Sequence, residues 1–554
     1  MGGLFVKKDL DRLIADANDP NAGEGGHGGG QLKRTLGAFN LTMLGIGAII
    51  GTGIFTLTGL AAADHAGPGV VYSFIMGGFL CALAGLCYAE MAAMVPVAGS
   101  AYAYSYATMG EFIAWIIGWD LVLEYAFGAI TVSNGWAGYL ISLLRNSMGV
   151  PFSDGLLRFT KGPWEQVVLS NGQSVYGVWN VPATLIVLLA ASVLYRGMKE
   201  SALANNIIVI TKVTIVLLFI IMGIGLISKA NLFVNPHTTG IASLVPERGM
   251  AAVNGVQKVT YGWPGVLRAT GVLFFAYIGF DAVSTTAQEC KNPARDMPIG
   301  IMGSLVICTV LYILVSLTLT GIVHYSQLHD AAPVAKGFDK IVELRHWNPT
   351  AGHTLTGLMK LGALAGLSSV ILVMMMGQTR VFYAMSKDGL LPWFGTAHKS
   401  FGTPHVATVV TGIFAAVCGG LMPLSLVGEL VSIGTLLAFV LVCVGVPLLR
   451  ITSPNVARPF KVPGGIVGAW VVGIAGAVSC IIVMFGLPHD TWIRLLLWLE
   501  IGLAIYAFYG WRRSRTGNEG GSEERTRPNT MVVTIAIILF LPTVIWAFKT
   551  FGHN

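Results

Sequence analysis

Apolar runs near 20 residues in length recur along the chain from position 36 to position 549, and they constrain the fold before any motif is considered. Each can cross a hydrocarbon core of about 30 Å as a helix rising about 1.5 Å per residue. Some thirteen spans are expected, at 36–60, 68–92, 111–146, 180–196, 203–227, 264–289, 297–324, 356–386, 404–421, 425–449, 466–487, 491–511 and 530–549. Only 11% of the 554 residues are charged, whereas soluble domains carry about 25%. An all-α integral membrane protein is the expected class.

The net charge of +7 does not point to nucleic acid, because the basic residues sit in short loops between spans and form no continuous patch. They report orientation instead. With the N-terminus in the cytoplasm, Lys33, Arg34, Arg196, Lys199, Lys291, Arg380, Lys387, Arg450, Arg458, Lys461 and Arg512 all fall on the inner side of a cytoplasmic membrane. No apolar run precedes residue 36, so no cleaved leader is expected and residues 1–35 read as a flexible cytoplasmic tail. Residues 512–529 read as a charged cytoplasmic linker that sets apart a last helix within 530–554, a seat for a lipid or small helical partner, or for nothing. The seven cysteines lie in or beside apolar helix without metal-ligand spacing and are expected to pack, so neither metal nor cofactor is expected.

Two spans contain the residues least suited to a continuous helix. The first carries "GIGAIIGTGIF" at 45–55, where each glycine costs a helix about 1 kcal/mol relative to alanine. The sixth carries "FFAYIGFDAVSTTAQE" at 274–289, where Gly279 and Asp281 interrupt an apolar run. Interruptions five spans apart, at matching positions of two halves, are the sequence signature of a transporter with a site near the midplane. Freed backbone survives in lipid only where it faces protein, water or a ligand. The amides at Gly51, Thr52 and Gly53 can therefore meet an anion, and the carbonyls of Phe275, Ala276 and Ile278 a cation. One zwitterion could use both. The competing reading is close helix packing through Gly47 and Gly51.

Four ionisable positions inside spans stand out. Lys212 lies about ten residues into "NNIIVITKVTIVLLFI", some 15 Å from the boundary and too deep to snorkel. Asp120 and Glu124 share one face of the third span. Asp281 stands where a half-helix would begin and reads as its N-cap. No nucleophile or ligand cluster accompanies them and the histidines are scattered, so an enzyme is not expected. An amino acid sensor would need a large cytosolic domain, for which neither terminus offers a candidate.

The segments "LKRTLGAFNLTMLGIGAIIGTGIF", "GWDLVLEYAFGA", "ESALANNIIVITKV", "FFAYIGFDAVSTTAQECKNPARDMPIGI" and "GQTRVFYAMSKDGLLP" together resemble the amino acid-polyamine-organocation superfamily, in its cationic amino acid transporter branch and as a bacterial member. The resemblance runs from about residue 31 to about residue 465. It implies a leucine-transporter-like 5+5 inverted repeat within 36–450, with helices 1 and 6 broken, followed by two additional helices in 451–511 and a third in 530–554. It also implies that the substrate carboxylate meets amides at Ile49, Thr52 and Gly53, that its amino group meets carbonyls at Phe275, Ala276 and Ile278, and that Phe280 closes over it.

The same resemblance places Lys212 where sodium-coupled relatives hold a sodium ion. Its ammonium is then expected to bond a carbonyl near Ile46 and the hydroxyl of Ser368 or Ser369, with protonation closing the helices around the substrate. A permanently charged lysine that only ties helices together is the alternative. Glu124 is implied near the substrate as an influence on selectivity, and Met374, Met375 or Met376 as a wall of the side-chain pocket. Members that carry long cationic substrates have smaller residues there, so arginine transport is not a firm expectation. Arg380, Lys387 and Asp388 resemble an inner gate or loop, or are simply solvated. The expected function is proton-coupled amino acid symport by a monomer, with exchange lacking net proton movement as the alternative.

Overall fold

The computed structural model describes residues 4–8, 36–95, 100–169, 171–197, 202–253, 256–398, 400–514, 532 and 534–535. The chain is mostly helical. Its principal helices are α1 (Ala38–Ile49), α2 (Val70–Met94), α3 (Glu111–Ser142), α4 (Val181–Arg196), α5 (Ala202–Gly223), α6 (Gly262–Leu273), α7 (Pro293–Ile322), α8 (Pro333–Leu344), α9 (Pro349–Lys387), α10 (His405–Leu421), α11 (Leu424–Thr452), α12 (Gly465–Gly486) and α13 (His489–Ile505). Among the described residues, nine helical segments are long and apolar enough to cross a bilayer. Three apolar helices are shorter: Ala38–Ile49, Val181–Arg196 and His405–Leu421. The expected spans at 180–196 and 404–421 are thus helices of 16 and 17 residues, about 25 Å long at 1.5 Å per residue. The run at 530–549 lies outside the described residues but for three positions near its start, 532, 534 and 535.

The chain is not wholly α-helical. Gln166–Val168 pairs antiparallel with Ser174–Tyr176, and Gly249–Val253 with Val256–Thr260. Both hairpins fall in polar connections between spans. The first turns at Asn171-Gly172, with Gly172 at φ +81°, a conformation that asparagine-glycine turns favour. The connection at 326–353 also holds a helix, α8. It opens on Pro333 and buries Val334, Ala335, Phe338 and Ile341 on one face.

Helix α3 is the central post, packed along α9 and α11, while α7 lies along both α1 and α2. Two devices hold the periphery to this core. Trp119 Nε1 donates to Trp498 O at 2.7 Å, Trp498 Nε1 donates back to Trp119 O at 3.2 Å, and Trp115 Nε1 donates to Gly502 O at 2.9 Å, so α13 hangs from α3 by indole–carbonyl bonds. Gly502 leaves the room, since a β-carbon there would stand 2.3 Å from the Trp119 ring. At one end of the bundle, buried Glu90 of α2 accepts from Arg450 Nε (2.9 Å) and Nη2 of α11 and from the amide of Val462 (2.7 Å). Paired fork-to-fork geometry of this kind makes a buried charge tolerable.

Residues Leu4–Lys8, inside the segment expected as a flexible tail, lie against the start of α3. Glu111 N donates to Val6 O and Phe112 N to Leu4 O, both at 3.0 Å. Phe5 meets Phe112 edge-on, and the Lys8 ammonium bonds Asp388 at 2.6 Å.

Arg450→Met should leave the buried Glu90 carboxylate with only Arg458 Nε, 3.7 Å away, to answer its charge and lower stability by about 3 kcal/mol. The double substitution Glu90→Met with Arg450→Met should recover most of that loss, read as the thermal midpoint of detergent-solubilised protein.

Candidate functional site

Helical geometry lapses at two places. After Ile49 the backbone of Ile50 turns extended (φ −73°, ψ 94°), and helical turns resume at Thr52 and continue through Gly53–Ala66. After the 3-10 turn Phe274–Tyr277, Ile278 is extended (φ −60°, ψ 137°) and Gly279 takes φ +117°, before a second 3-10 segment, Asp281–Glu289. These places touch. A β-carbon on Gly53 would stand 2.3 Å from Ala276 Cα, and one on Gly279 would stand 2.9 Å from the carbonyl carbon of Ala48. Glycine is required at both, by contact at Gly53 and by contact and dihedral together at Gly279.

The freed carbonyls are largely met from within. The Tyr312 hydroxyl of α7 lies 2.7 Å from Ile49 O and 2.9 Å from Ala276 O, bridging the two lapses. Phe275 O accepts from Ile278 N at 3.2 Å. The resumed helix at Thr52 has no preceding turn, so its first N–H groups have no partner within that helix. Thr52 itself is fully buried beside Gly135 of α3.

Asp281 does not cap the segment it begins. Its carboxylate turns back, accepting from Gly279 N at 3.2 Å and from the Tyr125 hydroxyl of α3 at 2.9 Å. The positive φ of Gly279 brings that amide round to the side chain two residues on, which outcompetes the forward cap. Phe280 is fully buried between Tyr88 of α2 and Phe439 of α11, with ring centroids 5.8 and 5.2 Å away. Glu124 and Asp120 are 1% exposed, and among the described residues neither carboxylate has a hydrogen-bond partner.

The two methionines face different ways, as adjacent helical residues must at about 100° apart. Met374 Sδ lies 3.5 Å from the position a β-carbon of Gly128 in α3 would take, whereas Met375 Cε lies 3.8 Å from that of Gly412 in α10. Met374 therefore faces α3, and Met375 is buried against α10.

Lys212 of α5 is completely buried, and its ammonium donates to Gly47 O of α1 at 2.6 Å. The acceptor is the carbonyl after Ile46, since Ile46 O is occupied by Ile50 N at 2.9 Å. The lysine stem lies across Gly366 of α9, where a β-carbon would come within 2.8 Å of it. Ser368 and Ser369 do not meet the ammonium. Ser368 donates to Leu364 O (2.8 Å) and accepts from Trp136 Nε1 (3.0 Å), while Ser369 donates to Gly366 O (3.0 Å). Serine on a helix readily bonds its own preceding turn, which takes these hydroxyls away from a neighbour.

Several residues around the site are not apparent in the sequence. Tyr312 and Tyr125 are tyrosines in apolar helices, where an aromatic residue is ordinary and marks nothing. Lys360 of α9, 1% exposed, bonds Ser147 at 3.2 Å and Asp339 of α8 at 3.5 Å. A lysine between apolar neighbours is a detectable signal for that one.

The chain matches the family described as Amino acid permease over residues 36–496. It is 39% identical over 516 residues to the methylthioribose transporter of Bacillus subtilis (strain 168), and 42% identical over 516 residues to the branched-chain amino acid permease BcaP of the same organism. Each alignment covers 93% of this chain and 99% of the relative. The vacuolar cationic amino acid transporter 2 of Arabidopsis thaliana is 34% identical over 448 residues, covering 80% of this chain and 64% of its own. These relatives are transporters, not enzymes.

Gly53→Ala should lower the thermal midpoint by the equivalent of about 1–3 kcal/mol, because the added carbon meets backbone. Gly37→Ala, with nothing within 4 Å of the added carbon, is the matched control and should leave the midpoint unchanged.

Proposed function

Because the chain belongs to the amino acid permease family, within the amino acid-polyamine-organocation superfamily, we propose that it is a secondary active transporter carrying an amino acid by alternating access in symport with protons. The observation that carries this reading is the contact between the two lapses in helical geometry, Gly53 against Ala276, with a buried ammonium one turn away on Gly47 O. In this reading the lapses are the broken helices 1 and 6 of a 5+5 inverted repeat spanning 36–450. The N–H groups near Ile49, Thr52 and Gly53 hold the substrate carboxylate. The carbonyls of Phe275, Ala276 and Ile278 take its amino group, with Tyr312 giving up Ala276 O as substrate arrives. Phe280 moves over the occupied site.

Lys212 is the coupling residue in this proposal. Protonated, it ties α1 to α5 and lies across α9 at Gly366. Without its proton it loses the charge-assisted bond to Gly47 O, and α1 is released. The membrane orientation follows the basic residues. Arg196, Arg380, Lys387, Arg450, Arg458 and Lys461 lie at the cytoplasmic end in this reading, and the hairpins and α8 lie outside.

Neutral branched-chain side chains are the favoured substrate class. The 42% identity to a branched-chain permease supports it, as does Met374 filling space opposite Gly128. Glu124 tunes the preference for charge. The second reading, methylthioribose, rests on the 39% identical relative that matches equally far along the chain.

A thermal-shift screen of purified protein against the twenty amino acids, the common polyamines and methylthioribose separates these readings. Ligand at 100 times its Kd adds about 2.7 kcal/mol of stability. A shift confined to methylthioribose would overturn the amino acid assignment. In proteoliposomes given an inward pH gradient, Lys212→Ala should lose accumulation against a gradient while retaining counterflow. Full pH-driven accumulation in that variant would remove Lys212 from coupling, and an unmodified protein indifferent to the imposed gradient would favour exchange.

A further inference from the structure

The outer half of the first span, Gly53–Ala66, ends beside a cavity of about 170 Å³ roofed in part by the chain entering α8. Contacts between that chain and the half-helix are specific. Thr56 Oγ1 donates to Ala331 O at 3.3 Å, and Gly59 fits against Pro333 with no room for a side chain. The Tyr261 hydroxyl donates to Ala63 O at 2.6 Å from a third side. The imidazole of His329 meets Asp64 Oδ1 at 2.8 Å through Nδ1. We propose that His329 and Asp64 form a proton-operated latch that fastens residues 325–333 over the mouth of the transport site when the medium on that side is acidic. That this side is external rests on the orientation argued above.

The other fasteners are neutral between about pH 5 and 8, where only an imidazole among ordinary side chains changes charge. Charged groups reach the cavity from every neighbouring element: Asp64 and His65 from the half-helix, Lys161 and Glu165 from the loop after α3, Asp330 from the roof, and Glu429 from α11. Most are engaged elsewhere. Asp330 accepts from Ala332 N at 2.9 Å, Glu429 accepts from Thr491 Oγ1 at 2.8 Å, and Lys161 stands 3.8 Å from Glu165. Asp64 is the carboxylate bonded to the imidazole.

The hydrogen bond to Asp64 raises the His329 pKa above its ordinary value, against the opposing effects of burial and Lys161. Lifting the segment removes Asp64 and returns the imidazole toward about 6.5. The closed form therefore binds the proton more tightly. Its stabilisation is complete below the open-state value and is lost as pH rises through the closed-state value. The pair is half exposed, His329 at 68% and Asp64 at 40%, so the bias is modest. In the symport reading, the same external acidity that drives uptake would then also favour the closed mouth.

Leu60 lines the cavity, and Leu60→Cys supplies a reporter there for an impermeant methanethiosulfonate reagent. The full-length chain would be labelled in intact and in permeabilised cells, with rates divided by those of a Trp164→Cys control, since Trp164 is 73% exposed. The expected result is labelling about two- to fivefold slower at pH 5.5 than at pH 8, a ratio that falls to one in His329→Gln and in Asp64→Asn. An unchanged ratio in both variants overturns the latch. Should one variant fail to accumulate, the other decides alone. Labelling of Leu60→Cys only after permeabilisation would instead overturn the orientation, and the pH ratio then reads the latch on the opposite face.

Discussion

Backbone that leaves helical geometry inside hydrocarbon has to find its hydrogen bonds within the protein, and two such stretches can persist only if something answers both. Here the one hydroxyl proton of Tyr312, placed by α7 between Ile49 O and Ala276 O, is shared between the two carbonyls. The packing around the two stretches follows from this requirement. Gly53 and Gly279 allow the two stretches to come into backbone contact. Phe274, Phe280, Phe439 and Tyr88 fill the flank with three edge-to-face ring pairs and one tilted pair. The parallel bridge between Leu36 and Cys290 then ties the start of α1 to the end of the Asp281–Glu289 segment.

The buried charges divide by how they are answered. Glu90 and Arg450 neutralise each other and close their remaining capacity on Val462 and Gly465, as a fixed strut does. Lys212 has one carbonyl and no carboxylate bonded to it, so its proton is held by geometry alone. Asp120 and Glu124 offer acceptor capacity that no described residue takes up. Fully satisfied networks resist change, whereas partly satisfied ones can be completed by something that arrives, which is why the latter cluster where chemistry or transport occurs.

Much of the fold was legible because a bilayer leaves few options: long apolar runs become helices, and misplaced glycines in them mark irregular backbone. The positions of Gly53, Gly279 and Lys212 stood out because each violates a local rule of its span. What escaped were contacts decided by tertiary geometry. Lys212 finds Gly47 and not a serine, because hydroxyls on a helix bond their own turn. Asp281 folds back onto Gly279 because a dihedral invisible in the sequence brings that amide to it. Tyr312 was unreadable, one tyrosine among many. The hairpin at Asn171-Gly172 was readable and was masked by the expectation that a membrane chain is helical throughout.

The indole pairs between α3 and α13 give a peripheral helix an importance its position conceals. Each bond caps a carbonyl already used in a helix, so peeling α13 away would expose three ring N–H donors to lipid with no replacement acceptor. The two helices are thus welded into one beam, a stiff edge to the bundle. Shaving a C-terminal appendage from this protein should therefore stop short of Trp498.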